Sequence, residues 1–88
     1  MDEERSEDLE ELRSDLTDVD RRILALIAER ERVVRRIGRR KRTSGRGTRD
    51  YEREKVVLQT ARSVARGLSV DPELAEEVMR TLIRSSLS

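Results

Sequence analysis

A heptad pattern of apolar residues near the start of the chain constrains the fold more than any other feature. The pattern alternates steps of three and four residues, as on one side of a long α-helix. Its positions, which we call the seam, are Leu9, Leu12, Leu16, Val19, Ile23, Leu26, Arg30, Val33 and Ile37. No glycine or proline interrupts it before Gly38. The sequence therefore predicts one helix from about residue 7 to residue 42.

A second helix is predicted after a loop at residues 43–48, a stretch of Gly, Ser, Thr and Arg. It begins near Thr48 to Asp50, either of which can cap it, and ends at Gly67. Its predicted apolar face consists of Val57, Ala61, Val64 and Leu68.

A third helix is predicted from Asp71 and Pro72, because Asp is favoured at the N-cap and Pro at the first helical position. Two inward faces are compatible with its pattern, and both continue through Leu82 and Ser86. The alternatives at its start are Leu74 or Ala75, and Val78 or Met79. No strand is indicated, so we predict an all-α domain of three helices over residues 1–88, with residues 1–6 disordered.

The length of the first helix predicts assembly. Thirty-six residues at about 1.5 Å each form a rod of roughly 54 Å. A compact chain of 88 residues forms a body only about 30 Å across. Part of the seam would face water in a monomer, and two-fold dimers are the commonest way to cover such a surface. We therefore expect an intertwined homodimer.

The composition excludes most kinds of active site. Charged residues make up 44% of the chain, Tyr51 is the one aromatic residue, and His and Cys are absent. Disulfides, Cys/His zinc sites, thiol nucleophiles and imidazole acid–base catalysis are therefore excluded, and we expect no cofactor. Without a long apolar run or a signal peptide, the chain is expected to be soluble and cytoplasmic and not to bind membranes.

The charges are strongly segregated along the chain. Residues 2–11 carry seven acids and one base, whereas residues 32–49 carry nine bases and no acid. An Arg-rich stretch without acids suits phosphate, carboxylate or an acidic protein. Most of these positions are also explained by a solvated helical face.

Arg30 is a cation at a seam position. A guanidinium cannot lose its proton, so burial requires a partner. Arg30 either sets the register and leaves the seam, or holds an anion inside the helical bundle. Lys41 favours the second interpretation. It lies eleven residues after Arg30, which is three helical turns plus about 20°, so the two residues face the same side of the helix. Arg53, four residues before Val57, is expected on the inward face of the second helix.

Three further residues complete a candidate pocket. Glu54 flanks Arg53 as a partner or as an acceptor for a hydroxyl, and Ser86 is a small polar group on the third helix or simply an exposed terminal serine. Arg13 lies about 25 Å from Arg30 along the helix, so it could reach the pocket only from a second, antiparallel chain. Such a pocket suits a small polyanion and catalysis by positioning and electrostatics.

Four stretches, in this order and spacing, resemble the all-helical chorismate mutase family. They are Leu12-Arg13 with Asp18-Val19-Asp20, residues 23–30, residues 37–41 and residues 49–54. The resemblance extends from Leu9 to Ser86. It implies the rearrangement of chorismate to prephenate, on the way to phenylalanine and tyrosine, without a cofactor.

The resemblance also implies roles for the cations. Arg30 and Arg53, together with Arg13 of the partner subunit, would hold the two carboxylates of chorismate. Lys41 would donate to the ether oxygen, which gains negative charge as its C–O bond breaks.

The remaining roles concern the ring hydroxyl and the end of the chain. Glu54 and the backbone near Asp50 would accept from the hydroxyl, and Ser86 would orient a carboxylate. The family usually has Gln or Glu four residues after the position of Ser86, and this sequence ends at Ser88. We therefore expect weakened turnover, which an added tail with Gln at position 90 should restore.

Two other functions remain open at this point. Isochorismate-pyruvate lyase or amino-deoxychorismate mutase would use the same fold and charges. A non-catalytic coiled-coil module could instead bind nucleic acid or an acidic partner through residues 32–49. In that module the basic residues of 32–49 would have no aromatic neighbours, and the inward-facing Arg30, Lys41 and Arg53 would have no function. We therefore expect no nucleic-acid binding.

Overall fold

The computed structural model describes residues 8–44 and 50–87, without the side chains of residues 42–44. These residues form three helices, α1 (Leu9–Ser44), α2 (Tyr51–Gly67) and α3 (Pro72–Leu87). The all-α, three-helix prediction is thereby confirmed. Thr43 and Ser44, expected in the loop, belong to α1, and the rest of that loop lies outside the described residues, as do residues 1–6. None of the described helices is both long and apolar enough to cross a membrane.

The chain divides into two units, one ending at Val33 and one beginning at Val34. In the first unit, every apolar seam residue of α1 is exposed, by 39% to 63%. Among the residues of this unit that the structure describes, 8–33, Ile27, Arg30 and Glu31 are half-buried. The seam is therefore an open apolar surface in the single chain.

The second unit contains the end of α1 and the other two helices. Its part of α1 repeats the same pattern, since the seam residue Ile37 is exposed while Val34, Gly38 and Lys41 are half-buried. Within this unit, Val34 and Gly38 each lie one residue beyond a seam position.

Helices α2 and α3 pack against each other. Residues 68–71 connect them, and so short a connection makes them an antiparallel pair, which we call the hairpin. At the turn, Leu68 N–H donates to the carbonyls of Val64 and Ala65, each at 3.1 Å, and Val70 N–H donates to Ala65 O at 2.9 Å. Ser69 completes this turn with φ of 58°, a conformation unusual for a residue other than glycine.

Aspartates cap both helices of the hairpin. The carboxylate of Asp50 accepts from Arg53 N–H at 3.0 Å, and that of Asp71 accepts from Glu73 N–H at 3.0 Å. Each carboxylate satisfies a backbone donor that has no partner within the helix. Of the two caps predicted for α2, Asp50 is the correct one, and the predicted cap of α3 is confirmed.

The packed faces of the hairpin differ in part from the prediction. Among the described residues only Ala65 is buried, with 3% exposure, while Val64 and Leu68 are exposed. The predicted face of α2 is therefore wrong at these two positions. The physical reason is a rotation of about one residue, which turns Ala65 toward α3. On α3, the alternative with Ala75 and Met79 is the correct one, because both are half-buried.

Candidate active site

Glu54 and Ser86 occupy one end of the hairpin. Because the hairpin is antiparallel, the first turn of α2 lies beside the last turn of α3. Both residues are half-buried in their helices, whereas neighbouring positions such as Arg53 and Ser85 are exposed. The fold therefore places a carboxylate and a hydroxyl at the same end of the hairpin, away from its turn.

The N-cap at Asp50 fixes the backbone of the first turn of α2, which includes Arg53 and Glu54. Besides the bond to Arg53 N–H, the carbonyl of Asp50 accepts from Glu54 N–H at 3.1 Å. Cap and first turn are thus joined by two hydrogen bonds. A carbonyl oxygen has a second lone pair, so the backbone of Asp50 can still accept from a ligand.

Ser86 uses its hydroxyl proton within α3. Its Oγ donates to the carbonyl of Leu82 at 2.9 Å, one turn earlier in the helix. A serine has one proton to donate and two lone pairs with which to accept. To orient a carboxylate, Ser86 must therefore turn its hydroxyl away from Leu82.

The predicted cations differ in exposure. Arg30, in the first unit, and Lys41, in the second, are both half-buried, whereas Arg53 is exposed. The prediction of an inward-facing Arg53 is thus wrong for the single chain. The same rotation of α2 that buries Ala65 places Glu54, not Arg53, on the covered side.

Arg13 lies in the first unit and is exposed. Its Nη1 is 3.6 Å from Glu10 Oε1, one turn away, and the two side chains are 67% and 81% exposed. An ion pair this exposed contributes at most about 1 kcal/mol, because water screens it. The guanidinium can therefore exchange Glu10 for another anion at little cost.

A polar groove that was not predicted from the sequence lies along the hairpin. It has a volume of about 310 Å³ and is lined by Arg62, Glu73, Glu76, Glu77, Arg80 and Arg84. Within it, Arg62 Nη1 lies 3.8 Å from Glu76 Oε1 across the two helices. The spacing of Glu76 and Arg80, four residues apart on α3, was the signal in the sequence. Nothing in the sequence indicated that Arg62 would join them.

Comparison with known proteins identifies the family. The family described as chorismate mutase type II matches residues 12–88. The protein named chorismate mutase of Methanocaldococcus jannaschii is 31% identical over 77 residues, which cover 88% of this chain and 78% of that protein. No solved structure matches the chain significantly.

Two bacterial relatives are much longer proteins. The T-protein of Haemophilus influenzae is 34% identical over 80 residues, covering 91% of this chain and 21% of the relative. The T-protein of Enterobacter agglomerans is 35% identical over 79 residues, covering 90% of this chain and 21% of the relative. The chain thus spans about a fifth of the length of each T-protein. Since the family match takes in all three helices and a similar relative is itself named for this activity, the chain belongs to the chorismate mutase type II family.

Proposed function

We propose that this chain catalyses the rearrangement of chorismate to prephenate. The observation that carries the proposal is the partial burial of Arg30 and Lys41 in a chain of this family. Partly buried charges are screened less by water and salt than exposed ones. These two cations can therefore interact strongly with the carboxylates and the ether oxygen of chorismate.

The carboxylates of chorismate are matched by the arginines. Arg30 and Arg53 are proposed to bind them together with Arg13 of the partner subunit. A guanidinium can hold a carboxylate through two parallel hydrogen bonds, which fix its orientation as well as its position. The reaction is unimolecular, so holding the enolpyruvyl arm over the ring supplies much of the rate enhancement.

Lys41 is proposed to stabilise the transition state. As the C–O bond of the ether breaks, negative charge accumulates on its oxygen, and an ammonium group placed there interacts more strongly with the transition state than with the substrate. Loss of one such donor costs about 3–4 kcal/mol in comparable sites. No proton needs to be removed, which suits a chain without histidine or cysteine.

The hairpin is proposed to bind the ring side of the substrate. Glu54 and the carbonyl of Asp50 would accept from the ring hydroxyl, since both acceptors lie in the capped first turn of α2. Ser86 would orient a carboxylate after releasing the carbonyl of Leu82.

We further propose that the chain acts as an antiparallel homodimer in the cytoplasm. The exposed seam supports association, because it is apolar over most of its length. The charges support the antiparallel arrangement. Residues 8–20 carry six acids and one base, whereas residues 32–41 carry six bases and no acid. An antiparallel pair sets each acidic half beside a basic half, while a parallel pair would set like charges together.

The test is chorismate consumption by the purified protein and by two pairs of variants. Arg30→Ala and Lys41→Ala remove proposed site residues, and Arg32→Ala and Arg40→Ala remove exposed cations nearby as matched controls. We expect the first pair to lose about a hundredfold to a thousandfold in kcat/KM, and the controls to stay near the parent.

Product identification completes the test. Prephenate supports the proposal, whereas release of pyruvate from isochorismate would assign the chain to the lyase reaction. Parent-level rates in both Arg30→Ala and Lys41→Ala would show that the proposed pocket is wrong.

A further inference from the structure

The Arg62–Glu76 ion pair connects the two helices of the hairpin. The guanidinium Nη1 of Arg62 lies 3.8 Å from the Oε1 of Glu76, and the two side chains are only 33% and 29% exposed. A partly buried pair is screened less by water and salt than a fully exposed one. Glu76 also has a second partner, Arg80, whose Nη2 lies 3.6 Å from Oε2. That second pair lies within α3 and holds nothing across the hairpin.

Alanines form part of the contact between α2 and α3 near this pair, next to the half-buried Leu58 and Met79. Ala61 and Ala65 lie on the covered side of α2, and Ala75 lies on that of α3. Helices resist sliding past each other when large side chains form ridges that fit into grooves. Alanines form shallow ridges, so where they meet the contact resists sliding of α2 against α3 less than larger side chains would.

An axial displacement of α2 against α3 would change the relative position of the residues at the candidate active site. Glu54 lies eight residues before Arg62, about 12 Å along α2, and Ser86 lies ten residues after Glu76, about 15 Å along α3. Both distances extend toward the same end of the hairpin. A slide of α2 against α3 at the ion pair therefore changes the axial offset between Glu54 and Ser86 by the same amount.

We propose that Arg62 and Glu76 are a positioning pair that fixes the axial register of α2 against α3 and thereby holds Glu54 opposite Ser86. The inference rests on the proposed function, because it assigns the pair to the same site. It adds two residues that do not touch the substrate. A displacement of about 1 Å at a catalytic site is sufficient to reduce turnover.

The kinetic test uses the two partners of Glu76 as a matched pair. Arg62→Met removes the link between helices, and Arg80→Met removes the pair within α3. We expect Arg62→Met and Glu76→Gln each to lower kcat/KM for chorismate by roughly threefold to fivefold. The double variant should be no worse than either single variant. Arg80→Met should stay near the parent, and Arg62→Lys should recover part of the loss.

A distance measurement tests the pair independently of turnover. The chain has no cysteine, so Lys55→Cys and Arg84→Cys introduce two sites for spin labels on exposed parts of α2 and α3. Dilution with unlabelled chain restricts the measured distances to pairs within one chain. We expect one narrow distance distribution in the parent and in Arg80→Met, and a shifted or broadened one in Arg62→Met.

The outcomes separate the two proposals. An unchanged distribution in Arg62→Met overturns the positioning role, whatever happens to the rate. Additive losses in the Arg62→Met, Glu76→Gln double variant also overturn it, because the two residues would then act separately. A parent that does not consume chorismate overturns the proposed function, and the distance distributions still decide whether the pair sets the register.

Discussion

Ile23 offers the sharpest test of the proposed homodimer. It lies 14 residues after Leu9 and 14 before Ile37, at the midpoint of the apolar seam. In an antiparallel pair of α1 helices, the Ile23 side chains of the two chains would meet. Truncating this residue therefore removes apolar surface twice at one place.

The expected loss follows from the exposure of the side chain. Full burial of an isoleucine side chain stabilises by about 1.5–3 kcal/mol. Ile23 is 50% exposed in the single chain, so association can bury about half of that value in each chain. Ile23→Ala should then weaken the dimer by roughly 1.5–3 kcal/mol, which raises the dissociation constant about tenfold to a hundredfold. Ile23→Asp should abolish the dimer, because two carboxylates would meet in an apolar contact.

Sedimentation equilibrium measures the effect directly. Ala28→Asp is the control, because it adds the same charge to an exposed position on the opposite side of α1, and it should remain dimeric. Since Arg13 is proposed to act in the partner subunit, specific activity of Ile23→Ala should also rise with protein concentration. A parent that is monomeric at micromolar concentration, or equal dissociation constants for the parent and Ile23→Ala, would refute the reasoning.

Three predictions concern the hairpin, and chemical denaturation measures each of them. Asp71→Ala removes the cap of α3 and should lower the free energy of unfolding by about 1 kcal/mol, whereas Asp71→Ser should retain most of the stability. Equal losses in the two variants would show that the cap contributes little. Ala65→Leu should cost about 1–3 kcal/mol through overpacking against α3, and an increase in stability would indicate a cavity there. Ser69→Val should lower the free energy of unfolding by about 1–2 kcal/mol, because φ of 58° is strained for a β-branched residue. Ser69→Gly should lose no stability, and equal stability of the two variants would contradict the turn geometry.

The helix boundaries were predictable from the sequence because local chemistry determines them. Asp50 caps α2 by bonding a backbone N–H three residues away, and Asp71 with Pro72 starts α3 in the same local way. The first helix was predicted over residues 7–42 and is observed as Leu9–Ser44. Such signals lie within a few residues of the boundary and depend little on the rest of the fold.

The packed faces were less predictable because two apolar stripes of α2 compete. The larger side chains, Val64 and Leu68, suggested one face, while the hairpin uses the adjacent face with Ala65. Hydrophobicity alone does not show which stripe packs within the chain and which is left for another contact. The exposure of Arg53 and the partial burial of Glu54 follow from the same rotation.

The link between Arg62 and Glu76 could not be predicted for a related reason. Fourteen residues separate the two along the chain, and they meet only because α2 and α3 pack at one particular rotation. The roles of Arg13, Arg30 and Lys41 remain predictions that depend on the variants described above.

The burial of Ala65 alone, among the described residues, has a consequence for how this chain acquires its structure. An alanine side chain loses little surface on burial, and the other described apolar side chains are at most half-buried. A single chain therefore gains little free energy to offset its loss of conformational entropy. Folding and association should then be one event. We expect refolding to become faster with chain concentration and the Tm to rise with it, because mass action favours the associated state. The amount of protein present in a cell would thus determine how much of it is folded.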